Sequence, residues 1–220
     1  MNNSYKQNQI FRSLKSLSGP FPLFDVHLLP ERPGELFLGW FEMAIEKGVK
    51  EPHAMTLSTV DADGCPDARV LILKNVVDDM FFFASSSESR KGEQLQSYPQ
   101  AALTFYWPIL GRQIRLRGTV ENMGEKAGAA DFRQRSVEAR AVALTGNQSR
   151  ELVREEELEH SIAVQRERIN RDPEMIAPNW GLYAMNVREA EFWQGDTQRK
   201  HTRVQYYLHD GQWKHRRLWP

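Results

Sequence analysis

A serine-rich turn followed by two cations is the part of the sequence best suited to bind a doubly charged anion. The turn, Ser85-Ser86-Ser87-Glu88-Ser89, leads directly into Arg90-Lys91. Ser89 can cap a helix that ends at Tyr98-Pro99, and the free amides of a first helical turn attract phosphate. Cations at a helix start are locally unfavourable, because that end is already positive, unless an anion joins them. The spacing therefore predicts a phosphate site here, and the alternative is a loop with solvated charges.

A second group of candidate residues lies near the C-terminus, between Trp193 and Arg203. If residues 199–203 are extended, the two-residue period of a strand places Arg199, His201 and Arg203 on one face, as a cationic row with a central histidine. The alternative is a solvated edge strand whose charges prevent aggregation. A basic anion site elsewhere in the chain favours the functional interpretation.

Other patterns that could carry chemistry are weaker or absent from the sequence. Gln113, Arg115 and Arg117 share one face of a predicted strand, which is also typical of a polar outer barrel face. Gln148-Ser149 can cap a long charged helix without any ligand. The sequence has no HExxH motif, no GxSxG elbow and no GxGxxG or Walker loop. Metal hydrolysis, a serine nucleophile and a Rossmann site therefore have no support, and no metal is expected.

Composition favours one globular domain that binds its anions locally. The chain has 220 residues, 40% of them hydrophobic, and its 29 basic and 29 acidic residues cancel. No global field attracts nucleic acid or acidic membranes, so neither partner is expected. The sequence shows no membrane span or signal peptide, and its single cysteine, Cys65, excludes an internal disulfide. We expect a cytoplasmic protein with a mobile N-terminal lead, residues 1–30, and one domain, residues 31–220.

The order of predicted elements favours an α+β fold around a small closed barrel. Apolar residues between positions 36 and 45 recur every three or four residues, which is typical of a helix packed on a core. Two hairpins follow, 54–60 with 66–73 and 101–107 with 112–120. Helices are predicted over 124–135 and from Gln148 to about Asn170, and further strands over 181–187, 191–193, 204–208 and 212–218. Because strands and helices do not alternate, an antiparallel barrel is favoured over a parallel sheet.

Several of these segments, in this order and spacing, resemble the pyridoxamine-phosphate oxidase family. The resemblance covers roughly residues 30–220 and is carried by residues 69–74, Ser89-Arg90-Lys91, Arg112-Gln113, Gln148-Ser149, residues 191–195, residues 199–203 and the ending Arg217-Leu218-Trp219-Pro220. It implies an FMN-binding split barrel, a six-stranded antiparallel Greek-key barrel with flanking helices. It also implies a homodimer that holds the flavin between its subunits.

Carried over position by position, the resemblance implies which residues contact the flavin and the substrate. The cofactor-binding positions are Arg69, Val70, Leu71, Ile72, Lys74, Ala84, Ser85, Arg90, Lys91, Gln113, Gln148, Ser149, Trp193 and Arg203. The catalytic positions are His201 and Arg199, and the substrate-binding positions are Lys74, Arg135, Arg199 and His201. Side chains alternate between the two faces of a strand, which places Arg69 and Lys74 on opposite faces. Both can therefore touch one ligand only if a bulge or a strand end intervenes.

The positions that would hold a substrate phosphate depart from the family pattern. Vitamin oxidases of the family use a lysine, a tyrosine, an arginine and a serine there, and the matching residues here are Lys74, Asp131, Arg135 and Ala139. Two donors are lost, and one has become a carboxylate that repels phosphate. These departures, together with the lead from Ser16 to Pro22, are more similar to the phenazine-biosynthesis flavin oxidases, the PhzG type.

This second resemblance implies an FMN-dependent oxidase of partly reduced tricyclic phenazine carboxylic acids, with O2 reoxidising the flavin to give hydrogen peroxide. Arg199 can take a carboxylate in two parallel bonds, and His201 can accept or relay a proton as the ring becomes aromatic. One alternative is a pyridoxamine or pyridoxine 5'-phosphate oxidase that makes pyridoxal phosphate. Another is a non-enzymatic split barrel that binds flavin or haem. The number of substrate carboxylates and of oxidation steps stays open.

Overall fold

An eight-stranded antiparallel sheet forms the centre of the computed structural model, which describes residues 9–220. Its strands are β1 (Ala54–Val60), β2 (Pro66–Val77), β3 (Met80–Ser86), β4 (Gln100–Trp107), β5 (Arg112–Asn122), β6 (Trp180–Gln194), β7 (Thr202–His209) and β8 (Gln212–Leu218). From Pro33 onward the α-helices are α1 (Pro33–Glu46), α2 (Arg90–Ser97), α3 (Glu125–Arg133), α4 (Val137–Leu144) and α5 (Glu155–Arg171). None of the helices in the described part of the chain combines the length and the apolar character needed to span a membrane.

The first six strands close into a barrel. Their order is β3-β2-β1-β4-β5-β6, and β3 also pairs with β6, so each of these strands has a partner on both sides. Strand β6 has two roles, because residues 180–186 pair with β3 and residues 189–194 pair with β7. Strand β8 then extends the sheet beyond β7. The predicted α+β architecture, a six-stranded antiparallel barrel with flanking helices, is confirmed.

A bulge in the ladder between β5 and β6 separates the two halves of β6. The register shifts between Arg117 and Gly118, and Arg188 is left out of the pairing. A Cβ atom at Gly118 would clash with the carbonyl oxygen of Asn186. Glycine is therefore needed where the two strands approach so closely.

An aromatic core joins helix α1 to the barrel. The ring of Phe37 lies 4.8 Å from Phe81 of β3 and 4.9 Å from Phe105 of β4, centroid to centroid. Trp40, nearly one turn further along, packs edge-on against Phe192 of β6 at 5.2 Å. The three- and four-residue spacing in the sequence thus places the apolar face of α1 on the barrel core, as predicted.

Asp79, which precedes β3, connects three distant parts of the chain. Its carboxylate accepts hydrogen bonds from Arg32 at 2.7 and 2.9 Å, from the backbone N–H of Gly34 at 3.0 Å and from the indole N–H of Trp213 at 2.7 Å. The Asp79 side chain is only 10% exposed. The start of α1, the β2–β3 turn and strand β8 therefore share one buried carboxylate.

The region that precedes α5 differs from the sequence prediction. Gln148 and Ser149 do not cap this helix, because both lie in an exposed turn where Ser149 has φ +72°, and α5 begins only at Glu155. Three glutamates in its first turn complement the positive end of the helix, which explains the later start. Helix α4, which the pattern does not predict, is capped by Ser136, whose Oγ accepts from the N–H of Ala139 at 3.2 Å. Strand β6 also runs unbroken where the pattern predicts two strands.

Part of the N-terminal segment lies against the barrel. Phe24 is buried in the core and packs edge-on to Trp40 at 4.8 Å. Phe21 lies beside Gly111, just before β5, and Leu17 lies beside Gly195 at the end of β6. Residues 1–8 of the predicted mobile lead lie outside the described residues.

Candidate functional site

The serine-rich turn and the start of α2 surround a buried lysine with hydroxyl groups. Ser89 caps α2 as predicted, since its Oγ accepts from the backbone N–H of Gly92 at 3.4 Å. Lys91 is only 7% exposed, and its Nζ donates to the same Ser89 oxygen at 3.1 Å. The hydroxyl of Ser85 lies 3.4 Å from Ser89 Oγ. No carboxylate of residues 9–220 lies within ion-pair distance of Lys91. An anion would therefore complete this site.

Arg69 and Arg90 meet at a carboxylate of their own chain. Oδ2 of Asp67 lies 2.7 Å from Arg69 Nη2, 3.4 Å from Arg90 Nε and 3.2 Å from Gln94 Nε2. The hydrogen bond from Gln94 and the charges of the two arginines lower the pKa of Asp67 despite its partial burial. Burial lowers the pKa of Lys91 and Arg69 lowers it further, whereas Asp67 acts in the opposite direction. We call Asp67, Arg69, Arg90, Lys91 and Gln94 the Asp67 cluster.

Lys74 lies on a bulge, which is one of the two features that would let Arg69 and Lys74 touch one ligand. The register between β2 and β3 shifts between Leu73 and Asn75, so Lys74 is the extra residue. A bulge re-aims the side chain of its extra residue. The alternation that would separate Arg69 and Lys74 onto opposite faces is therefore interrupted.

Lys74 points toward Asp131 of helix α3. Its Nζ lies 3.3 Å from Asp131 Oδ1, and Asp131 Oδ2 accepts from the indole N–H of Trp180 at 2.9 Å. The guanidinium of Arg135 stacks on the Trp180 ring, 4.0 Å from its centroid, and donates to the carbonyl of Ala139 at 3.4 Å. The positions matched to the phosphate site of the vitamin oxidases thus lie together, with a carboxylate paired to the lysine. Lys74, Asp131, Arg135 and Trp180 are the Asp131 group.

A row across β5, β6 and β7 places three predicted flavin positions side by side. Trp193 of β6 pairs with Gln113 of β5 on one side and with Arg203 of β7 on the other. The Trp193 ring also lies 4.8 Å from the ring of His201. Glu191, two residues earlier on the same face of β6, accepts from Arg203 Nε at 2.9 Å. We call Gln113, Trp193 and Arg203 the Trp193 row.

The loop between β6 and β7 is not extended, so the predicted cationic row of Arg199, His201 and Arg203 is wrong. Strand β7 begins only at Thr202, and Arg199 has φ +69°. Oδ1 of Asp196 accepts from the backbone N–H groups of residues 198 and 200, at 2.7 and 3.2 Å. A carboxylate that bonds nearby backbone N–H groups competes with strand pairing, and here it folds the segment into a turn.

The same loop fixes the orientation of His201. The backbone N–H of Asp196 donates to His201 Nδ1 at 3.1 Å. A neutral imidazole that accepts at Nδ1 carries its proton on Nε2. Arg199 is exposed on this loop, with Nη2 3.5 Å from Ser16 Oγ. The loop therefore presents a guanidinium and an imidazole N–H, two donors that suit a carboxylate.

Glu191 should make the stability of the protein depend on acid pH. Burial alone would raise the pKa of Glu191, but hydrogen bonds from Arg203 and Arg115 outweigh it and bring the pKa below its ordinary 4.5. A lowered pKa stabilises the folded state above the unfolded-state value, and this contribution is lost as the pH falls through the folded-state value. Thermal denaturation between pH 3 and 7 should show that Glu191→Gln flattens the acid side of the profile. An unchanged profile would contradict the assignment.

Several predicted flavin positions stand apart from these groups. Gln148 and Ser149 are exposed and form no side-chain hydrogen bond or ion pair with the clusters within residues 9–220. Val70 and Ile72 are exposed on the outer face of β2, whereas Leu71 packs against the core. Ala84 pairs with Leu182 beside the serine turn. Among the described residues, no side-chain hydrogen bond or ion pair joins the Asp67 cluster to the Trp193 row.

Three residues that the sequence pattern does not single out hold the predicted ones in place. Asp67 binds both arginines of the Asp67 cluster, Gln94 binds Asp67 and Arg69, and Glu191 pairs with Arg203. Asp67 has a sequence signal, because it precedes Arg69 by two residues on a strand and so shares its face. Gln94 has none, since its contact depends on how α2 packs beside β1 and β2.

Comparisons with known proteins find relatives over most of the chain. A family model described as "Pyridoxamine 5'-phosphate oxidase" matches residues 41–169, and one described as "Pyridoxine 5'-phosphate oxidase C-terminal dimerisation region" matches residues 180–220. The pyridoxine/pyridoxamine 5'-phosphate oxidase of Legionella pneumophila (strain Lens) is 38% identical over 188 residues, 86% of this chain and 87% of its own length. That of Azotobacter vinelandii is 40% identical over 193 residues, 87% of this chain and 90% of its own length.

A solved structure extends the comparison to the fold. PhzG from Burkholderia lata 383, in complex with tetrahydrophenazine-1-carboxylic acid, has a TM-score of 0.85 and 28% sequence identity. The match covers 92% of this chain and 100% of that one. From these matches and the closed barrel, the chain belongs to the pyridoxamine 5'-phosphate oxidase family.

Proposed function

We propose that this protein is an FMN-dependent oxidase that acts as a homodimer on a partly reduced, tricyclic phenazine carboxylic acid. The observation that carries the proposal is the 3.3 Å ion pair between Lys74 and Asp131. The side chain of Asp131 is only 10% exposed and is also held by Trp180. Its charge cancels that of Lys74 and repels a substrate phosphate, so a substrate that binds through a carboxylate elsewhere fits better.

The Asp67 cluster fits the phosphate of FMN. Lys91 is buried next to the hydroxyl groups of Ser85 and Ser89 and the first turn of α2, and none of the described residues gives it a carboxylate partner. Hydroxyl groups, helix amides and cations are the donors that bind phosphate in proteins. In this proposal Arg69, Arg90, Lys91 and Ser85 hold the phosphate.

The residues of the Trp193 row, with Gln148 and Ser149, form no side-chain hydrogen bond or ion pair with the Asp67 cluster within residues 9–220 of the same chain. In this proposal they therefore reach the flavin from the partner subunit, across the interface of a homodimer. The match of residues 180–220 to a dimerisation region supports this arrangement. The exposed apolar side chains of Val70 and Ile72 on the outer face of β2 suit burial against a second copy or the flavin.

The chain's own residues bind and orient the substrate in this proposal. When bound, FMN supplies the hydride acceptor, and dioxygen receives the two electrons and becomes hydrogen peroxide. Arg199 pairs with the substrate carboxylate. His201, whose Nδ1 is occupied by the backbone N–H of Asp196, donates a hydrogen bond from its Nε2–H to the substrate, and the proton that the substrate loses on oxidation passes to solvent. This geometry favours a donor over the proton acceptor that the sequence predicts.

A second candidate function is oxidation of pyridoxamine or pyridoxine 5'-phosphate. Relatives that are 38% and 40% identical carry that name. Lys74 and Arg135 also remain at two of the matched phosphate positions, close to each other on either side of Asp131 and Trp180. The property that this site distinguishes is whether the substrate carries a phosphate.

Anaerobic mixing of the FMN-loaded protein with each substrate class tests the proposal. The absorbance of the oxidised flavin in the visible range is followed after addition of a reduced phenazine carboxylic acid, pyridoxine 5'-phosphate or pyridoxamine 5'-phosphate. Bleaching by the phenazine alone supports the proposal. Bleaching by the phosphorylated vitamers alone selects the second candidate. Bleaching by none of them would indicate a non-enzymatic flavin-binding module.

His201→Ala should slow the reduction of the flavin by substrate about ten- to a hundredfold, because one hydrogen bond to a charged group is lost. His201→Gln, whose side-chain amide can donate from a similar position, should recover part of the rate. Anaerobic stopped-flow absorbance measures both, with FMN content as the control. A normal reduction rate in His201→Ala would remove the histidine from the reaction.

Arg199→Ala should instead weaken the apparent substrate affinity, because it removes the guanidinium that pairs with the substrate carboxylate in this proposal.

A further inference from the structure

One oxygen of Asp67 receives three side-chain donors at once. Arg69, Arg90 and Gln94 all converge on Oδ2, at 2.7, 3.4 and 3.2 Å respectively. Cationic and amide donors that converge on a single oxygen are the kind of set that a phosphate oxygen takes. Asp67 therefore occupies donors that the anion would otherwise receive.

The third cation of the cluster has no such partner. Lys91 donates to Ser89, and no carboxylate of residues 9–220 pairs with it. Arg69 lowers the pKa of Lys91, whereas Asp67 raises it. The like charges of the cluster thus oppose one another, and Asp67 offsets this repulsion. Arg90 has a second, longer contact with Asp61 at 3.9 Å, at the edge of the cluster.

We propose that Asp67 is a built-in counter-ion of the flavin-phosphate site. It stabilises the cation cluster when no flavin is bound and weakens the binding of the phosphate, so it sets how readily the protein gains and loses its cofactor. This role rests on the flavin site proposed above and is independent of the substrate.

The two effects have opposite signs because Asp67 interacts with cations and phosphate in opposite ways. In the flavin-free protein it attracts Arg69 and Arg90. In the flavin-bound protein its charge faces a phosphate dianion, and at a partly exposed site the repulsion amounts to about a tenfold loss of affinity. A residue that only oriented Arg69 would instead stabilise both the flavin-free and the flavin-bound protein.

Asp67→Asn tests the proposal, since it removes the charge and keeps the size of the side chain. Titration of the flavin-free protein with FMN, followed by the quenching of flavin fluorescence, should show binding about tenfold tighter than in wild type. Riboflavin, which lacks the phosphate, should bind both proteins within about twofold of each other. The flavin-free variant should melt about 2–4 °C below the flavin-free wild type.

Asp63→Asn is the matched control. Asp63 lies in the neighbouring β1–β2 turn, is exposed, and forms no ion pair within residues 9–220. Its replacement removes the same charge and should change neither FMN affinity nor melting temperature.

Three results would overturn the proposal. If Asp67→Asn weakens or does not change FMN binding, Asp67 is an orienting residue and not a competitor of the phosphate. If the substitution increases the affinity for riboflavin as much as the affinity for FMN, the effect does not involve the phosphate. If the wild type itself binds no FMN, the flavin site fails and this role of Asp67 fails with it, a result that differs from the first two because the variant is not needed to see it.

Discussion

Asp79→Ala is expected to lower the free energy of unfolding by about 3–5 kcal/mol. The substitution removes a buried carboxylate that accepts from Arg32, from the backbone of Gly34 and from the indole of Trp213. The indole and the backbone N–H lose their partner in a site with little water, and each costs about 1–3 kcal/mol when unsatisfied. Arg32 is half-exposed and can be rehydrated, which keeps the total from being larger.

The neighbouring residue supplies the control for this prediction. Asp78 is 66% exposed, lies 3.7 Å from Arg32 and has φ +54°, so Asp78→Asn, which removes the charge and tolerates this backbone, should cost less than about 1 kcal/mol. Urea denaturation of both variants, at equal protein concentration and equal flavin content, measures the difference. Equal losses in the two variants would show that the Asp79 carboxylate does not hold the three segments together.

Lys91→Met is expected to weaken FMN binding about a hundredfold, equivalent to about 3 kcal/mol. Lys91 is the buried cation of the Asp67 cluster and has no carboxylate partner in the described chain, so no ion pair within the described residues neutralises its charge. Methionine keeps most of the apolar stem and removes the charge. Because burial lowers the pKa of Lys91, the flavin-free variant should be at least as stable as the wild type.

Arg90→Ala provides the comparison within the same cluster. Arg90 is exposed and already pairs with Asp67, so its loss should weaken FMN binding only about tenfold. Flavin fluorescence titration measures both variants, and thermal denaturation of the flavin-free proteins excludes misfolding. If Lys91→Met retains wild-type affinity, the phosphate does not bind at the start of α2.

Two features of the proposed flavin-phosphate site relate to local patterns in the sequence. Ser89 caps α2 because a serine followed by helix-forming residues satisfies the free amides of the first turn. The bulge at Lys74 is one of two features that sequence reasoning leaves open, since two candidate ligand residues on opposite faces of one strand can reach one ligand through either a bulge or a strand end. In both cases the information lies within a few residues of the feature.

Some features that the sequence does not predict depend on contacts between distant segments. Another depends on a side chain that stabilises a turn where the pattern predicts a strand. Strand β6 is continuous because β3, about a hundred residues earlier, pairs with its first half and closes the barrel. Asp67 and Gln94 meet only after α2 packs beside the first hairpin. At residues 199–203 the local signal is misleading, because the alternating charges read as a strand while the carboxylate of Asp196 stabilises a turn.

The length of β6 has a consequence for how the binding site can be assembled. Trp180 near the serine turn and Trp193 near the C-terminal hairpin lie on this one strand, and thirteen residue steps at about 3.3 Å each give a path of roughly 40 Å along it, which is an upper bound on their separation because the strand bulges and curves around the barrel. If FMN binds as proposed, a mononucleotide that starts at the serine turn of one subunit meets the Trp193 row of a second subunit more readily than that of its own. A twofold pair of subunits would then form two equivalent sites, and dilution that separates the subunits should release the cofactor.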